Sequence, residues 1–231
     1  MRTAAVLPVK RFAGAKQRLG ASVPDPLRLE LARAMVADVL DALARTRAIE
    51  STIVVTGERS VAAAASAKGA VVVVDEAEKG QSAAAALGVR RALEDGSERV
   101  LCVPGDCPGL DPDELEALLA PGTGRPRGGG EVVIVPDRHG SGTNGLLLSP
   151  PDAIAPAFGP DSCERHRAAA IAAGASWRVE RAPSLLLDID TGADLAALRE
   201  RLVRHRERAA CTRAVLAAHS DPEHPAIASF A

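Results

Sequence analysis

Four cationic side chains, Lys10, Arg11, Lys16 and Arg18, follow a short apolar run that ends in Leu7-Pro8-Val9. Gly14 and Gly20 flank the last two of them. A strand running into a glycine-containing cationic loop is a way to hold phosphates. Backbone N–H groups donate to the oxygens, and the side chains offset charge that builds up in phosphoryl chemistry. Lysine is scarce in this chain, four against 24 arginines, and two of the four lie in this loop. The loop is not a Walker A sequence, because the second glycine and the hydroxyl are out of place. It is not G-x-G-x-x-G either, which disfavours the usual dinucleotide fold.

Acidic residues supply a second chemistry. Val103-Pro104-Gly105-Asp106-Cys107-Pro108 puts an aspartate just past an apolar run, in a turn stiffened by glycine and proline. That is a place for a Mg²⁺ carboxylate, since Mg²⁺ at a nucleotide is held by one or two carboxylates plus phosphates and water. In Leu187-Asp188-Ile189-Asp190-Thr191 two acids alternate around an apolar residue. On a continuing strand both would point to one side and Ile189 to the other. One of the pair is available as a second metal ligand, the other as a cap beside Thr191.

Two polar segments remain. Residues 75–82 lead into an alanine-rich helix, where small residues let a base and ribose approach the backbone. Residues 138–145 and 158–162 offer donors from Thr143, Asn144 and Ser162. Ser162 falls at a predicted helix start, where N–H groups and the dipole favour anions. It either helps hold a second phosphorylated substrate or simply caps that helix. His166 and His205 fall on predicted helices among charged neighbours and read as solvated. No nucleophile–base pair stands out, so positioning and charge neutralisation fit better than a covalent intermediate.

These residues must be positioned by alternating strands and helices. Strands are predicted at 3–8, 49–56, 71–74, 100–103, 132–135, 145–148, 176–181 and 185–189. The run at 71–74 is wholly β-branched, as in a strand covered on both faces. Asp25 reads as the cap of a helix with Pro26 at its first position, and Leu27, Leu31, Met35, Val36, Val39, Leu40 and Leu43 recur at helical spacing. Further helices open at Ser60, near residue 80, at Asp111 with Pro112 and Glu114 as a capping box, at Asp161 or Ser162, and at Thr191 with Asp194 in the box position. Residues 121–130 read as a surface loop. Lys10, Lys16, Lys79 and the sole asparagine, Asn144, all fall in predicted loops. The pattern implies an α/β fold, a mostly parallel sheet with helices on both faces, and ligands beyond the carboxyl ends of the strands. One domain over 1–206 and an extension or tail over 207–231 account for the length.

Composition bounds the partners. Net charge is −2, so no bulk attraction to nucleic acid is implied. No apolar run approaches the roughly 20 residues that cross a bilayer, and no signal segment opens the chain, so no membrane partner and a cytoplasmic location are expected. Cys102, Cys107, Cys163 and Cys211 form no metal-type spacing and read as reduced, mostly core thiols.

The segments LPVKRFAGAKQRL, EKGQSAAAALG, PGDCPGL, DRHGSGTNGLLL, FGPDSCERH and LLLDIDTGADL, in this order, resemble the guanylyltransferases of deazaflavin coenzyme F-420 biosynthesis. These act on 2-phospho-L-lactate or phosphoenolpyruvate and are similar to the molybdopterin nucleotidylyltransferases. The resemblance spans about residues 3–205. It implies a single Rossmann-like, glycosyltransferase-A-like nucleotidyltransferase domain that uses GTP and Mg²⁺. Lys10 and Lys16 would face the GTP phosphates, with Gly14 allowing close approach. Gly80 and Ser82 would contact the guanosine. Asp106 would hold the metal with Asp188 or Asp190. Thr143, Gly159 and Ser162 would hold the acceptor's phosphate. The product would be enolpyruvoyl-2-diphospho-5′-guanosine, passed to a downstream transferase of the same pathway. The GC-rich codon bias behind the composition suggests a bacterial source, and bacterial members are associated with phosphoenolpyruvate.

The chain also departs from the pattern. The molybdopterin enzymes have a longer glycine-rich first loop and an asparagine where this chain has Ser82, and Gly192 stands where proline is frequent. Two rival readings are a nucleotidyltransferase for a molybdopterin or sugar-phosphate acceptor, and a non-catalytic nucleotide-binding regulatory module.

Overall fold

The computed structural model describes residues 1–14, 16–120 and 130–219. Its strands are β1 (Thr3–Val9), β2 (Ser51–Thr56), β3 (Val71–Val74), β4 (Arg99–Cys102), β5 (Glu131–Pro136), β6 (Thr143–Ser149) and β7 (Ser176–Val179). They form one sheet in the order β3-β2-β1-β4-β6-β5-β7. The β1–β2, β2–β3, β1–β4 and β5–β7 pairs are parallel, and β6 runs antiparallel between β4 and β5. The mostly parallel α/β sheet read from the sequence is therefore present.

Helices cover both faces because the buried strands are apolar on both. On one face Ala5, Leu7 and Val9 of β1 pack with α1 (Asp25–Arg45), α2 (Arg59–Ala67) and α4 (Pro112–Leu119). On the other, Ala4 and Val6 pack with α3 (Gln81–Glu94) and α5 (Ser162–Ala172). The alternation is the period of two of a strand. All seven residues of the apolar stripe predicted on α1 are buried.

A third apolar cluster lies at the side of this sandwich and matters most for function. It joins Leu19, Leu187 and Ile189 to Leu27, Leu31 and Met35 of α1 and to α6 (Gly192–Arg204). Leu19 and Ile189 are both fully buried, so one cluster anchors the first loop and the acidic segment 188–190. The segment after 206 also contributes. It forms α7 (Ala210–Ala218), whose Leu216 joins this cluster, and Asp38 of α1 accepts the N–H groups of Cys211 and Thr212, both at 2.8 Å. That trans cap satisfies donors at the start of α7 which the helix itself leaves free.

Several local expectations change. β3 is an edge strand with Val74 exposed, not a strand covered on both faces; β-branched composition does not distinguish the two. Residues 185–189 make no ladder. A 3₁₀ turn at Pro183–Leu185 leads into an irregular segment instead. Asn144 is not in a loop but in β6. The caps of α1 and α2 are Pro24 and Glu58, one and two residues before those read from the sequence. Asp111 caps α4 as expected, but Glu114 completes no capping box, because its carboxylate accepts from the Ser184 N–H at 2.8 Å. The expected box at Thr191 and Asp194 is present. The loop expected at 121–130 lies, except for Gly130, outside the described residues. Among those described, no helix is long and apolar enough to cross a membrane.

Candidate active site

At the edge where β1, β4 and β5 end, a cavity of about 740 Å³ opens, within the usual range for small-molecule sites of about 300–1,000 Å³. Because β6 is reversed, its first residues, Thr143 and Asn144, reach the same edge. Lys10, Lys16, Gly80, Asp106, Thr143, Gly159, Ser162, Asp188 and Asp190 all line it. Nine of the site residues read from the sequence, drawn from six separate segments, thus meet in one place.

One does not follow. Ser82 is not part of the lining; its hydroxyl donates to Phe158 O at 3.3 Å, and Gln81 beside it faces the cavity instead. One residue of register on the first turn of α3 decides this, which the sequence motif does not resolve. Gly14 ends the 3₁₀ turn Phe12–Gly14.

Lys16 is the centre of the charged end. Its ammonium pairs with Asp106 and, at 2.7 Å, with Asp190 Oδ1, partners 90 and 174 residues away. Burial works against its charge, but the two carboxylates outweigh burial and raise its pKa above the ordinary lysine value. Lys16 also holds a left-handed backbone, φ +57°, which costs a side-chain-bearing residue about 1–2 kcal/mol. Lys10 and Arg18 line the same end without an ion pair among the described residues.

Asp188 is oriented by Asn144, whose amide donates to Leu185 O at 2.8 Å and to Asp188 Oδ1 at 3.2 Å. Burial first, then the nearby Asp106, raise the Asp188 pKa, against the Asn144 hydrogen bond. Neither Asp188 nor Asp190 caps α6. Asp194 accepts the N–H groups of Asp190 (3.0 Å) and Thr191 (2.7 Å), and Arg138 pairs with Asp194. The β5–β6 loop is thereby tied to the acidic segment. At Gly192 an added Cβ would run into the Ser22 side chain, so proline has no room here.

The residues fit a hard divalent cation. Asp106 Oδ1 is buried with no hydrogen-bond partner. The donors offered by Asp106, Asp188 and Asp190 are all oxygen, the preference of such a cation. A cation would also relieve the cost that raises Asp188. Among the described residues no three ligands already converge as a cage. Mg²⁺ does not need one where phosphate oxygens and water complete its shell.

The rest of the cavity offers the uncharged Thr143, Gly159 and Ser162 beside one carboxylate, Asp137. Gly159, at φ +112°, needs the freedom of glycine, and the loop around it is held by the Arg165 guanidinium, which donates to Ala157 O (2.9 Å) and Phe158 O (3.1 Å). Ser162 Oγ is buried without a partner. The N–H groups of Ser162 and Cys163 are already bonded to Gly159 O (3.1 Å) and Ser141 O (3.0 Å). The hydroxyl, more than the helix terminus, is therefore what Ser162 offers. His166 is not solvated as expected but fully buried, and its ring bonds Thr143 and the Ala157 N–H. Its spacing of four from Ser162 on one helix was a signal for a shared face. His205 is half-exposed near Glu207, closer to expectation.

An α/β sheet with acids, lysine and a two-ended cavity at its carboxyl edge is the arrangement of a nucleotidyltransferase, and the chain is an enzyme of that class. The fold is shared by a putative nucleotide-diphospho-sugar transferase from Desulfovibrio desulfuricans G20 (TM-score 0.73, 18% identity, covering 100% of this chain and 99% of that one). It is also shared by a Mycobacterium tuberculosis H37Rv protein solved in complex with manganese (TM-score 0.54, 19% identity, 86% of this chain and 97% of that one). The chain belongs to the guanylyl transferase CofC-like family, whose model matches residues 3–207. It is 49% identical over 217 residues, 94% of this chain and 96% of the relative, to a phosphoenolpyruvate guanylyltransferase of Conexibacter woesei. Family membership sets aside the non-catalytic reading.

Proposed function

We infer that the protein transfers GMP from GTP to phosphoenolpyruvate, releasing pyrophosphate and forming enolpyruvoyl-2-diphospho-5′-guanosine for coenzyme F-420 biosynthesis. The observation that carries this reading is the make-up of the cavity: a carboxylate–lysine cluster at one end and the buried hydroxyls of Thr143 and Ser162, beside Asp137, at the other. The first suits a metal-bound triphosphate, the second a small phosphorylated acid. The name of the 49%-identical relative favours phosphoenolpyruvate over 2-phospho-L-lactate.

An oxygen of the acceptor's phosphate attacks the α-phosphorus of GTP. The new O–P bond forms as the bond to the pyrophosphate oxygen breaks. The acceptor is already ionised at neutral pH, so no strong base is required, and bringing two polyanions together is the difficulty. Mg²⁺, when bound, neutralises phosphate charge. Asp106, with Asp188 or Asp190, would hold it. Lys10, Lys16 and Arg18 would offset the remaining charge, which requires Lys16 to exchange its carboxylates for phosphate. Gly80 and Gln81 would lie beside the nucleoside, and Thr143, Gly159 and Ser162 would hold the acceptor. The labile product would pass to a downstream transferase in the cytoplasm.

The test is pyrophosphate release from GTP and Mg²⁺ with phosphoenolpyruvate or 2-phospho-L-lactate, drawn forward by a pyrophosphatase. Release with phosphoenolpyruvate well above 2-phospho-L-lactate is expected. Reversed preference moves the acceptor assignment, and no release with either overturns the reading.

A further inference from the structure

His166 lies one turn beyond Ser162 on α5, and the two are 0% and 1% exposed. Its Nε2 receives the Ala157 backbone N–H at 2.8 Å. A backbone amide can only donate, so Nε2 offers its lone pair and the ring proton sits on Nδ1. Nδ1 is 3.1 Å from Thr143 Oγ1, so the ring donates to the hydroxyl. The hydroxyl's own proton then cannot point back at the ring. Among the described residues Thr143 Oγ1 has no other side-chain or backbone partner, and Thr143 lines the cavity. Phe158 packs edge-on to the imidazole, centroids 5.3 Å apart, and restrains the ring.

We propose that His166 is a positioning residue that fixes the polarity of Thr143, committing the hydroxyl to donate into the cavity and so selecting an acceptor that presents a deprotonated oxygen, carboxylate or phosphate, at that point. The proposal rests on the reading of Thr143 as an acceptor-binding residue. A free Thr hydroxyl can donate or accept and would tolerate a ligand hydroxyl or amide; one already accepting from His166 favours an anion. Charge-assisted hydrogen bonds are roughly twice as strong as neutral ones, which makes the fixed donor selective. Burial, then the nearby Arg165, hold the imidazole pKa down to about 4, so the neutral ring persists at neutral pH. Ser162 Oγ, buried without a protein partner, supplies a second hydroxyl at this end.

Two measurements test it. In the wild-type protein carrying ¹⁵N-labelled histidine, with the signals assigned by their loss in His166→Asn, a protonated Nδ1 and a bare Nε2 are expected, unchanged between about pH 6 and about pH 8. An Nε2–H tautomer or an imidazolium overturns the proposal whatever the variants do. In steady-state assays with GTP and phosphoenolpyruvate, Thr143→Val should raise the phosphoenolpyruvate KM about tenfold while the GTP KM stays within about twofold. His166→Leu should do the same, and combining the two should add little. His166→Asn places an amide donor near the Nδ1 position and should restore most of the lost affinity. Additive effects, an equal rise in the GTP KM, or no rescue by asparagine mean that His166 is only structural and overturn the proposal. If His166→Leu does not fold, the tautomer and Thr143→Val decide it. Absence of pyrophosphate release by the wild type is a different failure: it removes the acceptor assignment and leaves the tautomer measurement standing.

Discussion

At one end of the cavity Lys16 lies between Asp106 and Asp190, with Asp188 close by. At the other, Thr143, Ser162 and His166 carry no net charge and are almost wholly buried. Both ends are proposed to hold phosphorylated groups. The charged end keeps an internal counter-ion that a metal and a triphosphate must displace, so its affinity arises only when those ligands arrive together. At the other end Thr143 is pre-oriented by its hydrogen bond with His166 and needs little reorganisation on binding. The difference predicts coupled binding at one end and selective binding at the other.

The largest effect should come from the charged end. Asp106→Ala removes the buried, unpartnered oxygen and should lower kcat by about 10³-fold with an unchanged circular dichroism spectrum. Turnover near wild type would detach Asp106 from the metal. Lys16→Met should lower kcat by about 10²-fold, yet tighten Mn²⁺ binding in the absence of GTP by about tenfold, because the ammonium no longer competes with the dication. Titration followed by electron paramagnetic resonance reads this. Weaker Mn²⁺ binding would mean that Lys16 supports the acids and does not occupy their cation site.

The Thr143–His166 end should show itself in acid. The folded-state pKa of His166, about 4, lies below the ordinary value of 6.5. Protons therefore bind the unfolded chain more readily, and stability contributed by the neutral ring is full above 6.5 and lost as pH falls towards 4. From pH 6.5 to about pH 5 the loss should be about 1.5 kcal/mol in urea unfolding, and His166→Asn should lack that component. Equal slopes for both proteins would place the ring in water. Smallest of the set, Ser162→Ala should raise the phosphoenolpyruvate KM by about five- to tenfold and leave the GTP KM alone. A matching change in both constants would erase the distinction between the ends.

Legibility differed between the two ends for a physical reason. Asp106, Asp188 and Asp190 stand at the ends of apolar runs, where a turn must face solvent or a ligand, so their position signals their use. Asn144 and His166 were harder. A reversed strand brings the start of β6 to the carboxyl edge, and nothing in the local pattern of 143–149 states strand direction. His166 sits among Arg165, Arg167 and Glu164, which reads as a solvated face until Phe158 and Thr143 are seen to cover it. Ser82 and Gln81 differ by one position on a first turn, where motif boundaries carry too little resolution to choose.

By itself the sequence determined the periods that make strands and helices, the turns that end them, and the residue types available to bind anions and metal. Those follow from local sterics and from which faces are apolar. The tertiary structure decided which of these groups meet. Lys16 reaches Asp106 and Asp190 because Leu19 and Ile189 are buried in one cluster, and Thr143 owes its polarity to His166, 23 residues further on. Such pairings depend on packing between distant segments, and no local pattern encodes them.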